Sequence, residues 1–217
     1  MANGVNTCVW GPPLWRILHT ISFAPESQVR HAHEHIIRFL NVLGEVLPCK
    51  WCRISYKQFI QDDLPPLAET IQSNGLARWM FDLHALVNRK LGAHTPKFES
   101  IVKRFEVRPI QWSASDVWDT ISLLGLNFTP EKQNAYATFW NSWPYMLRLG
   151  WGVDSRVADL LANTPCPCEN GAFIATCLVL EAAFLHRPSP SREMVHERTR
   201  RYMVAIAQGG CSQGVCE

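Results

Sequence analysis

The sequence predicts an all-α protein. Apolar residues recur every three or four positions, no stretch alternates apolar and polar as a half-buried strand does, and Pro, Gly and Asn cut the chain into helix-length pieces. The 217 residues, 47% hydrophobic and 18% charged, suffice for one large domain or two of ordinary size. Nine Trp and ten Phe promise cores built on large rings.

Taken in order, Pro12 and Pro13 are expected to open a first helix through Leu14, Trp15, Leu18 and Ile21, ending before Pro25. A second is expected over residues 26–46, with Ile36, Ile37, Phe39, Leu40 and Leu43 on its buried side. The third begins at Cys49 and carries Tyr56, Phe59 and Ile60 until Pro65 and Pro66 stop it. The fourth spans residues 76–91, after Asn74-Gly75 and closed by Gly92, and a short one fits 97–105. Four main helices with short links fit a bundle with a site in its core. This gives a first domain over 1–108 and a helical second domain over 109–217. In the second, Ser113 or Ser115 caps a helix through Val117, Trp118 and Ile121. Another follows Thr129-Pro130, with a break or kink at Pro144, and further helices are expected at 154–161, 172–185 and 192–207. Leu14-Trp15, Thr20-Ile21-Ser22 and Pro25-Glu26 are faintly echoed by Val117-Trp118, Thr120-Ile121-Ser122 and Pro130-Glu131, with spacing that slips by two residues; chance similarity of helical patterns explains this, and a degenerate duplication is the alternative.

Composition excludes several function classes. A net charge of +2 argues against nucleic acid or a membrane surface as partner. The basic run Arg198-Thr199-Arg200-Arg201 reads as a solvated helix face. The longest apolar stretch, residues 172–185, is short of the ~20 residues a spanning helix needs, and it carries Glu181. Met1-Ala2-Asn3-Gly4 shows no basic region followed by an apolar one, so no secretory signal is visible. Close cysteine pairs in such a chain point to metal binding or redox chemistry.

The most informative of these is Pro48-Cys49-Lys50-Trp51-Cys52. A CxxC at a helix start meets unpaired backbone N–H groups and the positive end of the helix dipole, which stabilise a thiolate. Lys50 and Arg53 add positive charge beside it. Half of a zinc site has the same spacing, so the neighbours decide. Trp15 and His19, and again His84 and Asn88, stand at i and i+4, each pair on one face of its helix.

Together, Trp10-Gly11-Pro12-Pro13-Leu14-Trp15-Arg16-Ile17-Leu18-His19, Pro48-Cys49-Lys50-Trp51-Cys52 and His84-Ala85-Leu86-Val87-Asn88-Arg89-Lys90-Leu91 resemble the Erv/ALR family of FAD-linked sulfhydryl oxidases, especially members encoded by large DNA viruses. The resemblance covers about residues 9–105. It implies a four-helix FAD-binding bundle and a thiol oxidase that makes disulfides in protein substrates. Electrons would pass from substrate dithiols through Cys49 and Cys52 to FAD and then to O2, giving H2O2. It implies that Gly11, Trp15, His19, Cys52, His84, Val87, Asn88 and Lys90 contact the cofactor, with adenine stacked among Trp15, His19 and His84. Asn88 and Lys90 would serve the ribose and phosphate region, Cys52 would lie against the isoalloxazine, and Cys49 would face outward. Ala85 and Leu47 depart from the family pattern, where an Asn and an aromatic are usual. The resemblance further implies a homodimer, or a pseudo-dimer within one chain, working in host cytoplasm or virion.

Cys211 with Cys216, in a glycine-containing tail, and Cys166 with Cys168 are candidate shuttle pairs by the same resemblance. Cys177 reads as an inert buried thiol or a partner of the CxC, and Cys8 as a lone thiol or an intersubunit bridge. His31, His33 and His35 read as a solvated face, and no metal site is expected. The alternatives are a zinc-stabilised cysteine-rich interaction module, using Cys49, Cys52, Cys166 and Cys168, and an inactive flavin-binding scaffold.

Overall fold

A computed structural model of the chain describes residues 4–107, 112–150, 154–169 and 171–207. Among these the backbone is α-helical throughout, with one isolated antiparallel bridge, between Gly4 and Cys49, as the nearest thing to a strand. No helix among them is long and apolar enough to cross a membrane.

Helix α1 (Thr7–Ser22) begins well before the prolines expected to open it. Asn6 caps it, its side chain accepting the Cys8 N–H at 2.9 Å, and Pro12 and Pro13 lie inside. Lacking N–H groups, those prolines give the Cys8 and Val9 carbonyls no helical partner. Burial of Trp10, Leu14, Ile17 and Leu18 holds the helix together across that gap. Two helices, α2 (Glu26–His31) and α3 (His33–Val46), replace the single one expected over 26–46, with Ala32 between them at φ −96°, ψ 11°. The interruption lets α2 bury Val29 while α3 turns Ile36, Phe39, Leu40 and Leu43 inward.

Helix α4 (Lys50–Gln58) takes Cys49 as its N-cap and widens into a π turn, Phe59–Asp63, before the two prolines. After them α5 (Leu67–Gln72) forms where the sequence reads as loop, because burying Thr70 and Ile71 rewards a single helical stretch. Helix α6 (Leu76–Leu91) has the expected bounds, closed by Gly92 at φ 66°, a left-handed position that glycine takes without strain. Helix α7 (Phe98–Val107) ends the first half.

In the second half, Ser113 and Asp116 form a reciprocal capping box at the head of α8 (Ala114–Gly125). Helix α9 (Gln133–Leu147) passes through Pro144 without the expected break, since Trp140, Trp143, Met146 and Leu147 are all buried there. Then follow α10 (Ser155–Ala162), α11 (Phe173–Phe184) and α12 (Arg192–Ala207).

The helices pair in the same way twice. In the first half α1 packs on α6 and α3 on α4; in the second α8 packs on α11 and α9 on α10. Between the halves α1 lies on α8 and α3 on α9, so one buried core runs through both. At the first junction Arg16 is ion-paired with Asp116, its Nε donating at 3.0 Å. Burial works against the Asp116 charge, but the bonds from Arg16 and Ser113 outweigh it and hold the carboxyl below its ordinary value. At the second, Phe39 meets Trp143 edge-on at 5.1 Å and stacks near Phe139 at 5.6 Å. His35 stacks on Tyr145 at 3.5 Å, so one of the three histidines expected on a solvated face takes part in this junction.

Candidate functional site

The site grows from the end of α3. Leu47 and Pro48 leave that helix in extended conformation and deliver Cys49 to the head of α4 as its cap. The Cys49 Sγ accepts the Cys52 N–H at 3.3 Å. This is the helix-start arrangement that favours a thiolate. The Cys49 thiol is pulled down to about 6: the Cys52 thiol donates to it, the Cys52 and Trp51 amides add to this, and the Lys90 charge lies near, all against the opposing effect of burial. Cys52 is pushed far up, by its bond to Cys49, by burial and by the neighbouring Cys49 charge. One proton is thus shared unequally: Cys49 carries the charge and Cys52 keeps the hydrogen. In the reduced protein the thiolate absorbance lost on Cys49→Ser should therefore titrate in with a midpoint near pH 6. A midpoint near the ordinary thiol value of about 8.5 would contradict this arrangement.

Beside the CxxC a cavity of about 400 Å³ opens between α1, α4 and α6. Of the residues expected to contact a cofactor, Gly11, Trp15, Cys52 and His84 line it, as do Val87, Asn88 and Lys90. His19 stands one layer back, its Nε2 2.8 Å from His84 Nδ1. Trp15 and His84 lie parallel, 3.8 Å apart and 3° from coplanar, with His19 5.6 Å from Trp15. Those two rings already touch, so a further ring stacks on the outer face of the pair rather than between its members. Burial pushes His19 and His84 down to about 4, helped for His84 by His19, so both are neutral at pH 7. Lys90 is anchored on α4, its Nζ donating to Ser55 Oγ at 2.7 Å and to the Trp51 carbonyl at 3.2 Å. Asn88 donates to the His94 carbonyl at 3.4 Å.

Near the cavity, though not on its wall, stand two unpartnered polar groups, and on its wall stands one glycine with open space before it. The His19 Nδ1 and the Trp51 indole N–H are buried without a hydrogen-bond partner in the protein. Gly11 is buried, yet a Cβ built on it would meet no atom within 4 Å, so it faces open space.

Sequence reasoning missed part of the lining. Thr7, Cys8, Leu47, Ser55, Tyr56 and Phe59 also face the cavity. Cys8 was legible in principle, since 8, 11 and 15 fall at i, i+3 and i+7 on one face of α1. Nor does Cys49 face outward: it is 0% exposed. The other cysteines lie elsewhere. Cys166 and Cys168 are bonded to each other, with Cys166 Sγ 3.8 Å from the Tyr136 carbonyl oxygen. The Tyr136 hydroxyl donates to the Leu124 carbonyl at 2.6 Å and lies 3.4 Å from the Val46 carbonyl oxygen. Cys177 is buried, its thiol pushed up to about 12 by burial, as befits an inert group. Cys211 and Cys216 fall outside the described residues. Among the described residues no cluster of His, Cys, Asp or Glu could hold a metal ion.

A helical bundle that sets a CxxC at a helix start beside an aromatic-walled cavity defines a class of thiol redox proteins. Residues 12–108 match the model of the Erv1 / Alr family. Among curated proteins the chain is similar to the mitochondrial FAD-linked sulfhydryl oxidase ERV1 of Saccharomyces cerevisiae, 29% identical over 90 residues, which is 41% of this chain and 45% of that protein. The match thus spans less than half of the relative's length. No solved structure matches the chain.

Proposed function

We propose that this protein is an FAD-dependent thiol oxidase that makes disulfides in protein substrates, with O2 as the final acceptor. The observation that carries the reading is the placement of Cys52 on the wall of the cavity that Trp15 and His84 also line, one helical turn from a thiolate at Cys49. A substrate thiolate attacks Cys49 Sγ of the oxidised pair. The new bond joins substrate to Cys49, the Cys49–Cys52 bond breaks, and Cys52 leaves as a thiolate. A second substrate thiolate then attacks the substrate sulfur and releases Cys49, leaving a substrate disulfide and a reduced CxxC. Lys90 holds positive charge near both sulfurs while tied to α4. Trp15, His84 and Gly11 would hold the flavin nucleotide, with the neutral His19 and His84 offering ring nitrogens rather than charge. FAD held there would supply the two-electron and oxygen chemistry that Cys49 and Cys52 need to return to a disulfide, with H2O2 as the product.

The second half takes the place of a partner copy in this reading. Equivalent helices meet across the junction, α1 with α8 and α3 with α9, as the same patch meets itself in a two-fold dimer. The resemblance to viral members supports work in host cytoplasm or virion, where such an enzyme would act on virion proteins despite a reducing cytosol.

The test is the visible spectrum of purified protein together with oxygen consumption on dithiothreitol, for wild type and Cys52→Ser. Both proteins should show flavin absorbance, and turnover should fall to background in the variant. A colourless protein with stoichiometric zinc would make the chain a metal-stapled interaction module, and a yellow wild type without turnover a flavin scaffold.

A further inference from the structure

Cys49 must meet a substrate thiol, yet it is 0% exposed. The segment just before α1 lies over it. Gly4 forms the bridge to Cys49, and the Val5 N–H donates to the Pro48 carbonyl at 2.9 Å. The approach is so close that a Cβ on Gly4 would stand 1.9 Å from the Pro48 oxygen and 2.9 Å from the Cys49 Cα, and Gly4 has φ +101°. Only glycine fits there. Val5 is buried, and the Trp10 indole N–H donates to its carbonyl at 3.1 Å. The cover is therefore built rather than incidental, and among the described residues its attachment to the redox motif is the bridge with Cys49 and the Val5 hydrogen bond to Pro48. Its departure gives up the burial of Val5 and the Trp10 bond, while α1 keeps its own cap at Asn6.

We propose that residues 4 and 5 form a displaceable strap, and that the backbone edge of Pro48 and Cys49 beneath it is the docking edge for an extended cysteine-bearing polypeptide. The strap shows what the edge accepts: an antiparallel segment that offers an N–H to the Pro48 carbonyl and brings almost no side chain over Cys49. A substrate in that conformation replaces the hydrogen bond it displaces, whereas a small dithiol does not. Segments with glycine next to the reacting cysteine fit best, for the reason that glycine occupies the strap. This rests on the oxidase reading only for the purpose of docking; the strap itself is geometry.

The experiment uses the full-length flavin-loaded protein and has two arms, neither needing turnover. In the first, reduced wild type, Gly4→Ala and Gly4→Val are treated with iodoacetamide, and labelling of Cys49 is followed by peptide mass mapping. Both variants should label about tenfold faster or more, with flavin absorbance unchanged and a melting temperature lowered but still well above that of the labelling, since a Cβ expels the strap and exposes Val5. Equal rates in all three proteins would overturn the strap. In the second, a fluorescent peptide with a Gly-Ser-x-x-Ser core, serines standing for cysteines, is titrated by anisotropy against Gly4→Ala. It should bind, and N-methylation of the amide after glycine should weaken it about fivefold, the loss of one backbone hydrogen bond. No binding, or affinity indifferent to the methyl group, would overturn the docking edge. A protein that passes both arms and never consumes oxygen refutes the oxidase reading and leaves the strap standing.

Discussion

Gly11→Leu strips the flavin from this protein without weakening its fold. Gly11 is buried in the middle of α1, where glycine costs about 0.5–1 kcal/mol relative to alanine. A Cβ there meets no atom within 4 Å, and Gly11 lines the cavity, so a side chain starts out into the cavity rather than the core. The stability of the flavin-free protein should thus hold or rise slightly. Cofactor affinity should fall at least about 100-fold, roughly 2.7 kcal/mol, as a branched side chain takes space the ring system needs. Gly11→Ala should give an intermediate loss. Flavin stoichiometry by absorbance, beside the melting temperature of the flavin-free form, separates the two effects. A variant that keeps its flavin, or that loses flavin and stability together, would show that Gly11 serves packing instead.

Trp143→Ala should destabilise the whole chain by about 3–5 kcal/mol, as large-to-small changes at fully buried aromatics do. Trp143 is 0% exposed and sits where α3 and α9 join the halves, 5.1 Å from Phe39 and 5.4 Å from Phe139. For a chain of this size that corresponds to a melting temperature lower by about 10 °C. Helix loss by circular dichroism and flavin release should shift together, in a single transition, because the core is continuous. Two transitions, with flavin release unmoved, would mean that the halves fold independently. Trp143→Phe should cost far less: it keeps most of the packing and discards an indole N–H that is buried without a partner.

How much of this was legible in the sequence depends on how local the signal is. Helix α6 was bounded correctly because Asn74-Gly75 and Gly92 punctuate it, and Gly92 takes the left-handed conformation such a stop requires. The start of α1 was not, because two prolines that read as an opening turn lie inside a helix held by Asn6 and by buried Trp10. The CxxC, Trp15, His84, Asn88 and Lys90 were legible as a set, and they do line or adjoin one cavity. That His19 backs His84 instead of facing the cavity depends on side-chain layering, which spacing does not reveal. The strap over Cys49 had no signal at all, since one glycine in a short polar stretch reads as a loop. The same holds for Arg53, whose Nη1 donates to the Leu47 carbonyl at 2.7 Å and to Asn127 Oδ1 at 3.1 Å: no local pattern announces a partner 74 positions away.

The double junction also dictates an order of events at the ribosome. Arg16 meets a partner 100 residues further along the chain. At about 5–20 residues per second, that carboxylate is synthesised roughly 5–20 s after the guanidinium it pairs with. Through that interval α1 and α3 stand outside the tunnel with the faces that will meet α8 and α9 still bare, Phe39 among them. The nascent first half is therefore an aggregation-prone species that a holding chaperone would recognise. The redox half of the molecule is completed by the chain that emerges after it.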